Sequence, residues 1–196
     1  TISNCTFSGN SADIGGVAYS NTWKIFNNIF YSNLGDGVFN SVNLYASTST
    51  TPNPFAVYAY NVIEGGSSAI VDGTNNILDE AYILDADPLF VDINDPDGTD
   101  DIWGTEDDGL RLQASSPAIG YGVTQYLPVD TYDLDDDGDV TELIPVDIAN
   151  YIRIQDGALD LGAYEYGNVI GLSSVFTITA GAATGGSVSP SGALVN

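Results

Sequence analysis

Ile2-Ser3-Asn4-Cys5-Thr6-Phe7-Ser8-Gly9-Asn10 returns 23 residues later as Ile25-Phe26-Asn27-Asn28-Ile29-Phe30-Tyr31-Ser32-Asn33. Asn4 falls on Asn27, Phe7 on Phe30, Asn10 on Asn33 and Asp13 on Asp36. A third copy, Tyr60-Asn61-Val62-Ile63-Glu64-Gly65-Gly66, puts Asn61 under Asn28 and Ile63 under Phe30. The polar stretch Ser47-Thr48-Ser49-Thr50-Thr51-Pro52-Asn53-Pro54 absorbs its extra spacing. Strand-length apolar pieces recurring with a period in the low twenties predict coils of a parallel β-solenoid, each stacked on the next at about 4.8 Å because none buries its face alone. Phe7, Phe30 and Ile63 would form an internal stack. Asn4 with Asn27, or Asn10 with Asn33, would form turn ladders of side-chain amides. The competing reading of the same residues is an Asn-rich antiparallel sandwich.

Outward from the repeat, the chain reads as all-β. Its 196 residues include 22 Gly, and short Val/Ile/Phe/Tyr segments alternate with Gly, Asn, Ser and Asp breaks without a sustained 3.6-residue period. A hydrophobic content of 43% is enough for a core. Three Lys+Arg against 27 Asp+Glu give a net charge of −24. Such a chain cannot neutralise a phosphate track or adhere to an anionic bilayer, which argues against nucleic acid and membrane surfaces as partners. With no His and the single Cys5, the usual zinc sites and His-based catalysis are excluded within these residues. No apolar run approaches the roughly 18 residues of a membrane-spanning helix, so no membrane insertion is expected. Thr1 falls inside the repeat, so the chain reads as a piece of a longer protein.

The acidic residues are concentrated. Residues 85–108 hold ten and residues 130–147 hold eight. Both stretches are interleaved with apolar residues that ask for burial, among them Trp103, Leu110, Leu112, Leu134, Val140, Leu143 and Ile144, and bound divalent cations would reconcile the two demands. Asp133-Leu134-Asp135-Asp136-Asp137-Gly138-Asp139 has the alternating carboxylates and sixth-position glycine of a calcium loop, with Asp133, Asp135, Asp137 and Asp139 as ligands. Ile144 stands where an EF-hand carries its bidentate Glu, so the loop is of another type, closed by Glu142 or Asp147. The earlier stretch offers a second set of oxygens for Ca²⁺ in Asp95, Asp97, Asp100, Asp101, Asp107 and Asp108. The alternative for both is a solvated acidic turn.

The phrases "NCTFSGNSA…GGV" and "NNIFYSN" in residues 1–71 resemble right-handed parallel β-helix proteins of bacterial surfaces. "DADPLFVD" (85–92), "GLRLQASSPAIGYG" (109–122) and "LDLGAYEYG" (159–167) look like the carboxy-terminal block of choice-of-anchor Q β-helix proteins. That resemblance implies a secreted or surface-anchored protein. One departure is Ala118-Ile119-Gly120, where family members commonly carry an Asp after the Ile. Physically, 72–167 reads as an irregular, acidic cap that blunts the open end of the coils. Residues 168–196 are uncharged, carry the strand-like Val175-Phe176-Thr177-Ile178-Thr179-Ala180, and resemble the opening of an internalin B-repeat. They are expected to serve as a linker or β segment.

An enzyme needs residues that this chain offers sparsely. A lyase would draw its base from Lys24, Arg111 or Arg153; packing or ion pairing of the arginines is the simpler account. A hydrolase would use paired carboxylates, for which Asp13 and Asp36 are the candidates. Tyr19, Trp23 and Tyr31 are candidate sugar-stacking residues on a lateral face. The expectation is therefore a calcium-stabilised, non-catalytic extracellular structural or adhesive protein. It would self-associate through coil ends or 168–196, with a polysaccharide as a candidate ligand. The alternative is the end of a polysaccharide-acting β-helix enzyme or a carbohydrate-binding module.

Overall fold

The computed structural model describes residues 1–12, 17–19, 24–35, 38–39, 44–46, 57–72 and 82–167. Among them there are 13 short strands, two 3-10 turns (Gly66–Ala69 and Thr124–Tyr126) and no α-helix. The strands are β1 (Ile2–Ser3), β2 (Thr6–Ser8), β3 (Ser11–Ala12), β4 (Ala18–Tyr19), β5 (Lys24–Phe26), β6 (Ile29–Tyr31), β7 (Leu34–Gly35), β8 (Val38–Phe39), β9 (Leu44–Ala46), β10 (Val57–Ala59), β11 (Asn61–Ile63), β12 (Ile70–Asp72) and β13 (Ile83–Leu84). They form four sheets, ordered β1-β5-β10, β13-β11-β6-β2, β12-β9-β4 and β3-β7-β8. Each passage of the chain feeds one strand to the first sheet, one to the second and one to the third, so neighbours come from successive repeats and pair in parallel. The exception is β8, which pairs antiparallel with β7.

The register is the one the repeat dictates. Ile2 pairs with Ile25 and Phe7 with Phe30, then Phe30 with Ile63. Phe7 and Phe30 stack with ring centroids 4.9 Å apart and planes 3° from parallel. Ile25, Phe30, Tyr58, Ile63, Ala69 and Ile70 form a buried cluster shared by three sheets. Burial of each such side chain contributes roughly 1.5–3 kcal/mol.

At the corner between the first two sheets, the amide ladder sits one residue later than the sequence suggested. Asn4, Asn27 and Tyr60 occupy the left-handed region (φ 53°, 58° and 57°) and turn the chain. The inward residues that follow are Cys5, Asn28 and Asn61. Asn61 Oδ1 accepts from the Asn28 backbone N–H at 2.9 Å, and Asn28 Oδ1 accepts from the Cys5 N–H at 2.9 Å. The Asn61 amide donates to Ile25 and Ala59 carbonyls, and the Asn28 amide to Ile2 and Phe26. Asn28 and Asn61 are fully buried. The second expected ladder is present: Asn10 donates to Asn33 Oδ1 from both its backbone and side chain.

Residues 85–167 do not merely plug one end. Successive strand residues face opposite ways, so Ile29 and Val62 lie on the face opposite Phe30 and Ile63. There they pack with Phe90, Leu110, Leu112, Ala118, Leu161 and Tyr164, with Tyr31 and Leu84 alongside. The segment also reaches β2, where the Ala163 N–H donates to Thr6 Oγ1 at 3.0 Å. It therefore lies along all four strands of the second sheet. Asn27 fastens it by a two-way amide clasp: Nδ2 donates to the Val123 carbonyl and Oδ1 accepts from the Val123 N–H, both at 3.0 Å. Tyr126 stacks on Phe26 with centroids 3.8 Å apart. At Gly162 (φ +94°) a Cβ would stand 2.7 Å from Thr6 Oγ1 and 2.9 Å from Ile29 Cδ1, so only glycine permits this approach.

The ladder makes a graded prediction. Asn28→Ala removes the acceptor of the part-buried Cys5 N–H and one donor each from the Ile2 and Phe26 carbonyls, and should destabilise by about 2 kcal/mol. Asn10→Ala, at an exposed position, should cost about 1 kcal/mol or less. Urea unfolding of the two variants checks the ordering.

Candidate metal centre

Most of 85–167 is turns and isolated bridges, and its carboxylates join the backbone carbonyls in accepting backbone hydrogen bonds. Asp108, fully buried, accepts from Gly104 and Thr105 N–H and from the Tyr164 hydroxyl at 2.6 Å. Asp147 accepts from the N–H groups of Ala149, Tyr151 and Glu165. Asp160 accepts from Gly120 and Tyr166, and Asp130 from Tyr132 and Leu134. Trp103, Leu134, Val140 and Leu143 are exposed, against the expectation that they need burial, while Leu110 and Leu112 are buried.

Asp135 breaks the pattern. It is 6% exposed, and its Oδ1 is buried with no hydrogen-bond partner. Glu142 Oε1 is likewise buried and unpartnered. These atoms belong to two triads of carboxylates, each with one oxygen per residue and all three within 4.8 Å of one another. One is Asp130, Asp135 and Glu142; the other is Asp133, Asp135 and Asp137. Such oxygen-only clusters can hold a metal ion, and hard divalent cations match the donor type. Burial first, and then the neighbouring carboxylates, push Asp135 and Glu142 above the usual carboxylate range.

Of the residues singled out in this loop, Asp133, Asp135, Asp137 and Glu142 come together. Asp139 is engaged elsewhere, its Oδ1 accepting from the Thr141 N–H and hydroxyl, which lowers its pKa. Asp147 is committed to backbone amides. Asp130 joins the centre although the D-x-D-x-D-G spacing does not reach it; its only sequence signal is membership of the acidic run. Asp95, Asp97, Asp100, Asp101, Asp107 and Asp108 do not assemble into any triad within 4.8 Å. That loop is instead closed by its own hydrogen bonds. The Thr99 and Thr105 hydroxyls hold Asp107 down to about 2, and Asp100 accepts from the Ile102 N–H. Asp95 is raised by desolvation and by the surrounding Asp97, Asp92, Asp101 and Asp107.

The cations of the chain are largely used by packing. Arg153 donates to Glu165 Oε1 at 3.2 Å in a buried contact and to the Gly162 and Ala163 carbonyls. Arg111 lies over the Tyr151 ring, 4.6 Å from its centroid, and donates to the Gly167 carbonyl. Tyr31, half-buried, meets Phe90 edge-on and borders a recess of about 220 Å³ with Asp87, Leu89 and Gln113. Trp23, Asp13, Asp36, the Tyr19 side chain, the loop 47–54 and the whole of 168–196 lie outside the described residues. No helix among the described residues is long and apolar enough to cross a membrane. No family profile, curated protein or solved structure matches this chain.

Burial pushes the Glu165 carboxyl up to about 8, against the Arg153 guanidinium, which pulls it down. A carboxyl raised in the folded state contributes stability that is fully present below its ordinary pKa of 4.5 and is lost as pH rises through about 8. At fixed calcium, the fall in stability from pH 4.5 to 8 should be smaller in Glu165→Gln than in the wild type, by on the order of a few kcal/mol. Denaturant melts of both proteins across that range test this, and identical pH slopes would refute it.

Proposed function

We propose that the chain is a calcium-stabilised, non-catalytic structural module of an extracellular bacterial surface protein. In this reading the repeats are coils of a right-handed parallel β-helix, and 85–167 is a lateral cover held rigid by Ca²⁺. The observation that carries it is the buried, unpartnered Asp135 oxygen among four further carboxylates, a grouping that is costly without a cation. Calcium is favoured over magnesium because it accepts many carboxylates at flexible geometry, whereas magnesium keeps most of its waters. The parallel register with offsets of 23 and 33 residues supports the coil reading, and the order of phrases in 85–167 resembles choice-of-anchor Q surface proteins. Self-association through coil ends or 168–196 belongs to the same reading.

Thermal melting in calcium and in excess EDTA tests the reading. The melting temperature should fall by several degrees when calcium is withdrawn and return when it is restored, with magnesium restoring little. A melting curve indifferent to EDTA would remove calcium from the account.

A further inference from the structure

The two triads at the metal centre share one residue. Asp135 belongs to both, Asp130 and Glu142 complete one, and Asp133 and Asp137 complete the other. Calcium binds oxygens at about 2.3–2.6 Å, so two ligands of one ion stand no more than about 5 Å apart. Within each triad the oxygens meet that limit. Taken together the five carboxylates do not form one group within it, so a single ion cannot draw on all five as they stand. Charge points the same way: one dication leaves five carboxylates strongly negative, and two come close to balancing them.

The orphaned atoms locate the shared ligand. Asp130 is fixed by the N–H groups of Tyr132 and Leu134 at 3.0 and 2.7 Å. Asp133 accepts from the Gly138 N–H at 3.1 Å and Asp137 from the Asp139 N–H at 2.7 Å. These bonds set the outer carboxylates in place and leave lone pairs for a cation. Asp135 Oδ1 and Glu142 Oε1 have no such bond although both are buried. An ion in each triad would meet every one of these needs.

We propose that this centre holds two divalent cations bridged by the Asp135 carboxylate, with Asp130 and Glu142 completing one site and Asp133 and Asp137 the other. The proposal rests on the calcium reading above and adds to it the number of ions, the bridging residue and Asp130 as a ligand. Bridged ions of this kind sit about 4 Å apart.

The test uses the full chain stripped with chelator and titrated calorimetrically with Ca²⁺ alone. Asp135→Asn should lower the number of bound ions by two, and Glu142→Gln and Asp137→Asn by one each. In the unaltered protein loaded with mixed Tb³⁺ and Eu³⁺, close-range energy transfer should shorten the Tb³⁺ emission lifetime, and Asp135→Asn should abolish that effect. A drop of the same single ion in all three variants, or no Tb³⁺-to-Eu³⁺ transfer in the unaltered chain, overturns the two-ion centre and leaves the calcium reading standing. No change of ion count in any variant overturns both.

Discussion

Between residues 85 and 167 the chain packs against a sheet while forming almost no strands of its own, so its buried backbone N–H groups need acceptors that no neighbouring strand supplies. Leaving them unpaired would cost about 1–3 kcal/mol each. Carbonyls in turns and isolated bridges supply many of these acceptors, as Arg111 and Gly109 do for Val91 and Asp92, and buried carboxylates supply others. Asp108, Asp130, Asp147 and Asp160 are buried, and between them they receive nine N–H donations. The acidity of the chain is thus partly architectural. A charged acceptor makes a stronger hydrogen bond than a carbonyl and takes two or three donors at once, which suits tight, irregular turns. Leu134, next to the buried Asp135, faces solvent.

Asp135 stands out against this background because no donor reaches its buried Oδ1. Hydrogen bonding accounts for the other buried Asp side chains, and a cation would satisfy this one. The contrast with 95–108 sharpens the point. That loop is about as acidic, yet Thr99, Thr105 and backbone amides answer Asp100, Asp107 and Asp108, no buried carboxylate oxygen is left without a partner, and no triad forms. Composition alone does not separate the two loops; the hydrogen-bond partners do.

The repeat made the register readable, because Phe7, Phe30 and Ile63 recur at offsets that only parallel stacking aligns. It did not place the amide ladder correctly. Asn4 and Asn27 match each other, but the third member of that column is Tyr60, which shows that the column is defined by left-handed backbone and not by side-chain bonding. The ladder column has Cys5 at its first position, which hid it. The lateral course of 85–167 was unreadable for a different reason. Its fastening contacts, Asn27 with Val123 and Thr6 with Ala163, span 96 and 157 residues and leave no local pattern. The D-x-D-x-D-G spacing located the centre, since it is a local feature, but could not reach Asp130, which arrives by a separate turn.

Amide hydrogen exchange measured residue by residue tests the central claim most directly. If buried carboxylates replace the missing strand ladder, the N–H groups of Leu134, Tyr151, Glu165 and Tyr166 should be protected to the same degree as that of Val62, which bonds the Asn28 carbonyl within the sheets. Exchange of those four amides at the rate of an unstructured chain, with Val62 still protected, would contradict it.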